Sequence, residues 1–171
     1  MFKNNYRDKK VLITGHTGFK GTWLTTWLLE CGANVVGISK DIPTNPSMFE
    51  ALALNSKIKH YINDVREFQK LKSIIETEQP DYIFHLAAQA IVSESKVDPI
   101  QTISSNVIGT MNLLEVLRDY SKECVAIFIT SDKCYKNVEW VWGYRETDPL
   151  GGKDIYSGSK AAAELVINSY I

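Results

Sequence analysis

Tyr156 and Lys160 stand four residues apart in the run Tyr-Ser-Gly-Ser-Lys, a spacing that puts both side chains on one face of a helix. An ammonium beside a phenol favours the phenolate. A phenolate can take a proton from a hydroxyl while hydride leaves the same carbon, and the lysine can also hold a ribose. Upstream, Thr130-Ser131-Asp132-Lys133 sets a hydroxyl, an acid and an amine in consecutive positions after an apolar run. Ser131 suits a hydrogen bond to a reacting oxygen. Asp132 reads either as a proton donor or as a cap or turn residue. Lys133 reads as a base, a role open to lysine only when neutral, or as a stabiliser of an enolate; the residues do not separate these roles.

Near the N-terminus, Gly15-His16-Thr17-Gly18-Phe19-Lys20-Gly21 has the spacing GxxGxxG. It follows a strand-like run and opens a helical pattern, the context in which such glycines bind a dinucleotide. Gly15 permits a sharp turn, Gly18 clears the approach of a pyrophosphate to the backbone, and Gly21 lets the helix pack close to the sheet. The helix N-terminus offers unpaired N–H groups to the phosphates. The plain alternative is a glycine-rich turn without a ligand. The missing GK[ST] ending argues against a P-loop nucleotidase.

These residues need strands and helices to carry them. Lys10–Thr14 (KVLIT) reads as a strand buried on both faces. A helix follows from Gly18 to Cys31, with Trp23, Leu24, Trp27 and Leu28 at helical spacing and Gly32 as its stop. Further strands are expected at 34–38, 57–62, 82–86 and 124–130. Helices are expected at 65–79, with Phe68, Leu71, Ile74 and Ile75 on one face, at 99–120 with Ile103, Val107, Met111, Leu114 and Leu117, and at 156–171. Alternating strands and helices predict a doubly wound parallel sheet of Rossmann type. The stretch 131–155 is long and irregular, a length more common in functional loops.

The chain has 171 residues, 44% hydrophobic and 23% charged, with a formal net charge of −1. Neither sign dominates, which excludes a nucleic-acid face or an anionic membrane surface as the expected partner. The polar N-terminus and the short first apolar run offer no signal peptide or membrane span, so a cytoplasmic location is expected. Cys31, Cys124 and Cys134 lie far apart, as do His16, His60 and His85; neither a disulfide framework nor a metal site is expected.

The glycine spacing, the YxxxK pair and the run Asn106-Val-Ile-Gly109-Thr110 together resemble the extended short-chain dehydrogenase/reductase family. The resemblance implies NAD rather than NADP as cofactor. Ser39 stands where NAD-preferring relatives often carry Asp, while Asp41, two residues on, can reach the adenosine ribose; Lys40 suits a 2′-phosphate or is a solvated charge. Asp64-Val65 is similar to the family's adenine-recognising pair, with a helix N-cap as the second reading of Asp64. Leu86-Ala87-Ala88 leaves clearance for the cofactor at a strand end, or packs there. Asn106 supports the active-site backbone in such enzymes.

Within the family, GHTGFKGTWL, PTNPSMFE, TSDKCYKN and EWVWGYRETDPLGG resemble the CDP-glucose branch of the nucleotide-sugar 4,6-dehydratases. His16, Lys20 and Asp132-Lys133 are the discriminating positions. This implies oxidation of the sugar at C4, loss of water across C5 and C6, and return of hydride to C6. Tyr156 is then the base at the C4 hydroxyl, Lys160 its partner at the ribose, Ser131 the group that orients the C4 oxygen, and Asp132 the acid for the departing hydroxyl. Lys133 acts at C5. The segment Trp140/Trp142/Tyr144/Arg145 is either an aromatic wall near the sugar or packing beneath a loop. Such enzymes continue past this length with a sixth strand and a nucleotide-gripping domain. The expectation is a truncated Rossmann domain over 1–171, its sheet incomplete at the C-terminal end, that binds dinucleotide, turns over CDP-glucose poorly and exposes apolar surface. A homodimer is expected from the family. The alternatives are another nucleotide-sugar epimerase or decarboxylase, and a non-catalytic NAD-binding module.

Overall fold

The computed structural model describes residues 3–171. The chain divides into two compact units, one formed by the chain up to Ala87 with residues 119–129, the other by residues 88–118 and 130–171.

The first unit runs α1 (Lys3–Tyr6), β1 (Lys10–Thr14), α2 (Phe19–Glu30), β2 (Asn34–Ser39), α3 (Met48–Ala51), β3 (Lys59–Ile62), α4 (Phe68–Glu78), β4 (Tyr82–His85) and, after the second unit's first segment, β5 (Val125–Phe128). The five strands are all parallel in the order β3-β2-β1-β4-β5, which is the strand order of the dinucleotide-binding sheet. The expected fold class is therefore observed. β1 lies at the centre: Val11 pairs with Val35 on one side and Tyr82 on the other, and Thr14 with Ile38 and His85. A strand covered on both faces must be apolar throughout, and Val11, Leu12 and Ile13 are fully buried. Val11 and Ile13 join Leu28, Ala33 and Val35 in one core cluster, flanked by Tyr6, Leu24, Tyr82 and Phe84.

Two expectations need correction in this unit. The tryptophans of α2 do not face the core: Trp23 is 57% and Trp27 54% exposed, whereas Thr22, Thr25 and Leu28 are buried. The cause is Gly21, which turns its own row (Gly21, Thr25, Leu28) inward; Trp23 sits two residues on, about 200° around the helix. α4 begins at Phe68 rather than Val65, because Val65–Glu67 forms a turn closed by Glu67 N–H on the Asp64 carbonyl at 2.9 Å. Its buried face does carry Leu71 and Ile75.

The second unit contains α5 (Val92–Val97), α6 (Pro99–Ile103), α7 (Gly109–Arg118) and α8 (Ile155–Tyr170). Pro99 occupies the first turn of α6, and the Asp98 side chain accepts from Gln101 N–H at 2.9 Å, which agrees with a helix start at Pro99. The helix expected over 99–120 is broken, however, by a π-helical turn at Ser104–Ile108. The extra residue in that turn rotates the buried face. Thr102, Asn106, Thr110 and Leu113 point inward; of the residues placed by periodicity on the apolar face, Ile103 is exposed whereas Leu114 is buried. α8 packs on α5, α6, α7, the π turn and a short 3₁₀ turn at Asp132–Cys134.

The long stretch before α8 is not a free loop. Tyr135 and Leu150 form an antiparallel bridge. Lys136 N–H donates to the Pro149 carbonyl and Gly151 N–H to the Cys134 carbonyl, both at 2.8 Å. The rings of Tyr135 and Tyr144 stack at 5.5 Å and 6°, with Trp140 at 5.7 Å from Tyr144. Packing thus accounts for Tyr144, while Trp142 stays 70% exposed. Among the described residues no helix is long and apolar enough to cross a membrane.

Among the described residues, the first unit buries the charge of Glu78. The Glu78 carboxylate, 4% exposed, is ion-paired to Lys59 and to Lys10 at 3.3 Å, and it accepts the Tyr61 hydroxyl at 2.5 Å. Burial pushes this carboxyl up, but the bonds from Lys59, Tyr61 and Lys10 outweigh burial and hold it below its ordinary value. Its contribution to stability is therefore full at neutral pH and lost as pH falls below about 4.5, through the folded-state value. Glu78→Ala is expected to lower unfolding stability by about 2 kcal/mol at pH 7, read by urea denaturation. The deficit relative to the unsubstituted protein should shrink below pH 4.

Candidate active site

The phosphate loop starts where β1 ends. Gly15 adopts φ +76°, a left-handed conformation that disfavours a side chain, and a Cβ there would sit 2.8 Å from Ala87 N. A Cβ on Gly21 would lie 2.1 Å from the Gly15 carbonyl oxygen and 2.6 Å from His16 Cα. The close contact that Gly21 permits is thus with its own loop, not with the sheet. At Gly18 an added Cβ would meet only the Gly15 oxygen, at 3.4 Å. Gly18 is the N-cap of α2 and supplies no side-chain cap. The first turn of α2 therefore presents N–H groups without a side-chain partner beside a position with no side chain. That cradle fits a pyrophosphate. Phe19 and Lys20, expected near the cofactor, are exposed at the mouth of this turn.

His16 lies differently from the sequence reading. Its imidazole is fully buried and points into the first unit, so only its main chain remains for a ligand. Nε2 lies 2.7 Å from His60 Nδ1, and Nδ1 lies 3.0 Å from Ser39 Oγ. Ser39 Oγ also accepts Thr17 N–H at 3.3 Å. The neutral ring donates from one nitrogen and accepts at the other, so that both contacts are satisfied. The ring occupies space left by Gly37 of β2, where a Cβ would fall 2.4 Å from it. Burial, and then the neighbouring His60, lowers the His16 pKa to about 4, so the imidazole is neutral at pH 7.

The Ser39 hydroxyl is consumed by this network. Asp41 is exposed, paired with Lys40 at 3.6 Å, and its carbonyl accepts the Thr17 hydroxyl at 2.7 Å, which ties the end of β2 to the glycine turn. Asp64 is not a helix cap; Glu67 holds that position. Its carboxylate takes Arg66 through Nη2 at 2.7 Å and the Arg66 N–H at 2.9 Å, and these bonds lower its pKa. Val65 beside it is buried. At the end of β4, Leu86 N–H donates to the Thr14 carbonyl at 3.1 Å and Ala87 N–H to the Thr14 hydroxyl at 3.2 Å.

The second unit assembles the remaining residues. Ala88 opens this unit and is half-buried. Asn106, inside the π turn, accepts Gln89 N–H at 2.8 Å, donates to the Gln89 carbonyl at 3.0 Å and donates to Ser159 Oγ at 2.8 Å. The Ser159 hydroxyl in turn donates to the Tyr156 carbonyl at 2.6 Å. Asn106 thus holds both a backbone segment and the first turn of α8. That turn is capped by Asp154, which accepts Ser157 N–H at 2.9 Å. Tyr156 and Lys160 are both largely buried on α8. Ser131 caps the 3₁₀ turn, accepting Lys133 N–H at 3.2 Å and donating to Asp132 at 3.0 Å. Asp132 and Lys133 are exposed, and the charge of Lys133 acts on Asp154. Gly37, His60, Gln89, Asp154 and Ser159 were not singled out by sequence. A glycine inside a strand (NVVGIS) was the available signal for Gly37. Among the described residues no group of three or more His, Cys, Asp or Glu could hold a metal ion.

Two outcomes follow for this loop. Gly18→Ala should cost no more than about 1 kcal/mol of stability but weaken nicotinamide-dinucleotide binding at least about tenfold in calorimetric titrations with NAD and NADP, whereas Gly21→Ala should cost about 1–3 kcal/mol of stability from overpacking. Because the folded-state value of His16 lies below the ordinary 6.5, the unfolded chain takes up its proton first as pH falls. Stability should then drop between pH 6.5 and 4 by roughly 3 kcal/mol, and chemical denaturation of His16→Gln should show a flatter pH dependence across that window.

A profile of the GDP-mannose 4,6 dehydratase family matches residues 12–171. The chain is 50% identical to the CDP-glucose 4,6-dehydratase of Salmonella typhimurium over 168 residues, covering 98% of this chain and 47% of that protein. The crystal structure of UDP-glucose 4-epimerase with UDP-glucose from Thermotoga maritima superposes with a TM-score of 0.81 at 27% identity, over 94% of this chain and 50% of that one. The NAD complex of UDP-glucose 4-epimerase from Thermus thermophilus gives 0.81 at 29% identity, over 94% and 50%. The chain spans about half the length of the curated relatives it matches. It belongs to the GDP-mannose 4,6-dehydratase family, within the extended short-chain dehydrogenase/reductases that include nucleotide-sugar 4,6-dehydratases and 4-epimerases.

Proposed function

We propose that these residues belong to an NAD-dependent CDP-glucose 4,6-dehydratase. The observation that carries this reading is the second unit's pairing of a Ser131-Asp132-Lys133 turn with the helix bearing Tyr156 and Lys160; half-identity to a CDP-glucose 4,6-dehydratase over nearly the whole chain supports it.

In this reading the open first turn of α2 at Gly18 would hold the dinucleotide's pyrophosphate, and Asp41 and Asp64-Val65 would hold its adenosine. When bound, NAD supplies reversible two-electron redox chemistry at the sugar. Tyr156 removes the proton from the C4 hydroxyl, with Lys160 supplying positive charge and a hydrogen bond to the ribose. Ser131 orients the C4 oxygen. Asp132 protonates the C6 hydroxyl as it leaves as water. Lys133 acts at the C5 position, where charge develops in the enolate. A 4-epimerase has no elimination to perform and so no need of an acid and an amine at this turn.

The test uses the full-length gene product carrying these residues, incubated with NAD and CDP-glucose. A 4-keto-6-deoxy product, seen as the near-ultraviolet absorbance such sugars give in alkali, is expected. Formation of the C4 epimer instead, or of no product, overturns the assignment. Tyr156→Phe should lower kcat about 10²- to 10⁴-fold with NAD affinity kept, and Asp132→Asn should slow loss of water more than oxidation at C4.

A further inference from the structure

We propose that Glu164 is a positioning residue for the catalytic turn and acts through Thr130; the inference rests on the reading of Ser131–Lys133 and Tyr156–Lys160 given above. Thr130 immediately precedes Ser131, and its hydroxyl donates to Glu164 Oε1. Glu164 stands four residues after Lys160 and eight after Tyr156, on the same row of α8. A displacement of that row against the turn would move all three side chains together.

The other bonds of the turn are local or run to the segment before α8, where Gly151 N–H donates to the Cys134 carbonyl at 2.8 Å. Ser131 Oγ serves Lys133 N–H and Asp132, Cys134 N–H donates to the Ser131 carbonyl at 2.9 Å, and Tyr135 N–H to the Asp132 carbonyl at 3.1 Å. These bonds fix the turn's internal shape and its tie to the segment before α8, but none of them ends on α8 itself. The Thr130–Glu164 bond crosses from the stem of the turn to the helix. Its acceptor follows Ala161-Ala162-Ala163 and is half-buried. A half-buried carboxylate needs partners to replace water, and a bond from a hydroxyl to an ionised acceptor is shorter and stronger than a neutral one. The charge of Glu164 also reaches Cys134 and Tyr135, so the carboxylate lies at the junction of turn and helix. Misplacement of a catalytic group by about 1 Å can cost on the order of 10²-fold in rate, which makes this tie a matter of turnover as well as of folding.

The experiment compares Glu164→Ala, Glu164→Gln, Thr130→Val and the Thr130→Val/Glu164→Ala pair in the full-length gene product. Each of Glu164→Ala and Thr130→Val should lower kcat about tenfold or more with the KM for CDP-glucose little changed. The double variant should be no worse than either single one, since both remove the same bond. Glu164→Gln, which keeps an oxygen acceptor, should recover most of the activity, and the pH profile of kcat should not move. Additive losses overturn the proposal, as does a Glu164→Gln variant as impaired as Glu164→Ala with a displaced pH profile, which would make Glu164 itself a proton carrier. Amide hydrogen exchange decides independently of turnover. Faster exchange confined to Ser131–Tyr135 in Glu164→Ala and Thr130→Val, at unchanged melting temperature, is expected; unchanged exchange there overturns the proposal. Absence of CDP-glucose turnover by the unsubstituted protein defeats the functional reading instead, and exchange still reports on Glu164.

Discussion

The geometry of the phosphate loop rests on room for one imidazole. His16 enters the first unit where Gly37 of β2 has no side chain, and there it meets Ser39 at the end of β2 and His60 on β3. A buried ring with both nitrogens bonded cannot shift without leaving polar atoms unsatisfied. The backbone from Gly15 to Thr17 is held with it, and Thr17 adds its own bonds to Ser39 and to the Asp41 carbonyl. Gly21 then lets α2 begin directly against this fixed backbone, where any side chain would collide with the Gly15 oxygen. The result is a helix N-terminus whose N–H groups are fixed in direction and left without a side-chain cap. That is the property an anion site requires, because pre-set donors need no reorganisation when the phosphate arrives.

The second unit solves a different problem with the same means. Tyr156 and Lys160 must be held on a helix whose start is defined, and three polar groups define it: Asp154 as cap, Ser159 on the Tyr156 carbonyl, and Asn106 on Ser159. Asn106 reaches Ser159 and both backbone groups of Gln89 from within a π turn. An extra residue in that turn places a polar side chain where α-helical periodicity would place an aliphatic one. Ile103 and Ile108, at either end of this turn, lie exposed while the amide network is buried.

The frame is shared by proteins with different chemistry. A CDP-glucose 4,6-dehydratase and two UDP-glucose 4-epimerases are among its relatives. A shared fold does not fix a reaction; the groups placed on its turns and loops do. Here the turn after β5 carries Asp132 and Lys133, both exposed, and the stretch after it is ordered by the Tyr135–Tyr144 stack and the Tyr135–Leu150 bridge.

Sequence by itself determined the parts of this protein that depend on local pattern. Strands buried on both faces must be continuously apolar, so KVLIT, NVVGIS and YIFH declare themselves. Glycines at a strand-to-helix turn, a proline at the start of α6 and a YxxxK pair are equally local signals, and each was found where expected. Tertiary structure decided whatever depends on what lies across the chain. Trp23 and Trp27 read as core by spacing, yet Gly21 turns the other side of α2 inward. His16 read as a cofactor neighbour, yet a missing side chain on a different strand draws it into the interior. The register change at the π turn, the loss of Asp64 as a cap and the tie between Thr130 and Glu164 share this origin. A side chain's direction is set by partners distant in sequence, through steric room and buried hydrogen bonds that no local periodicity encodes.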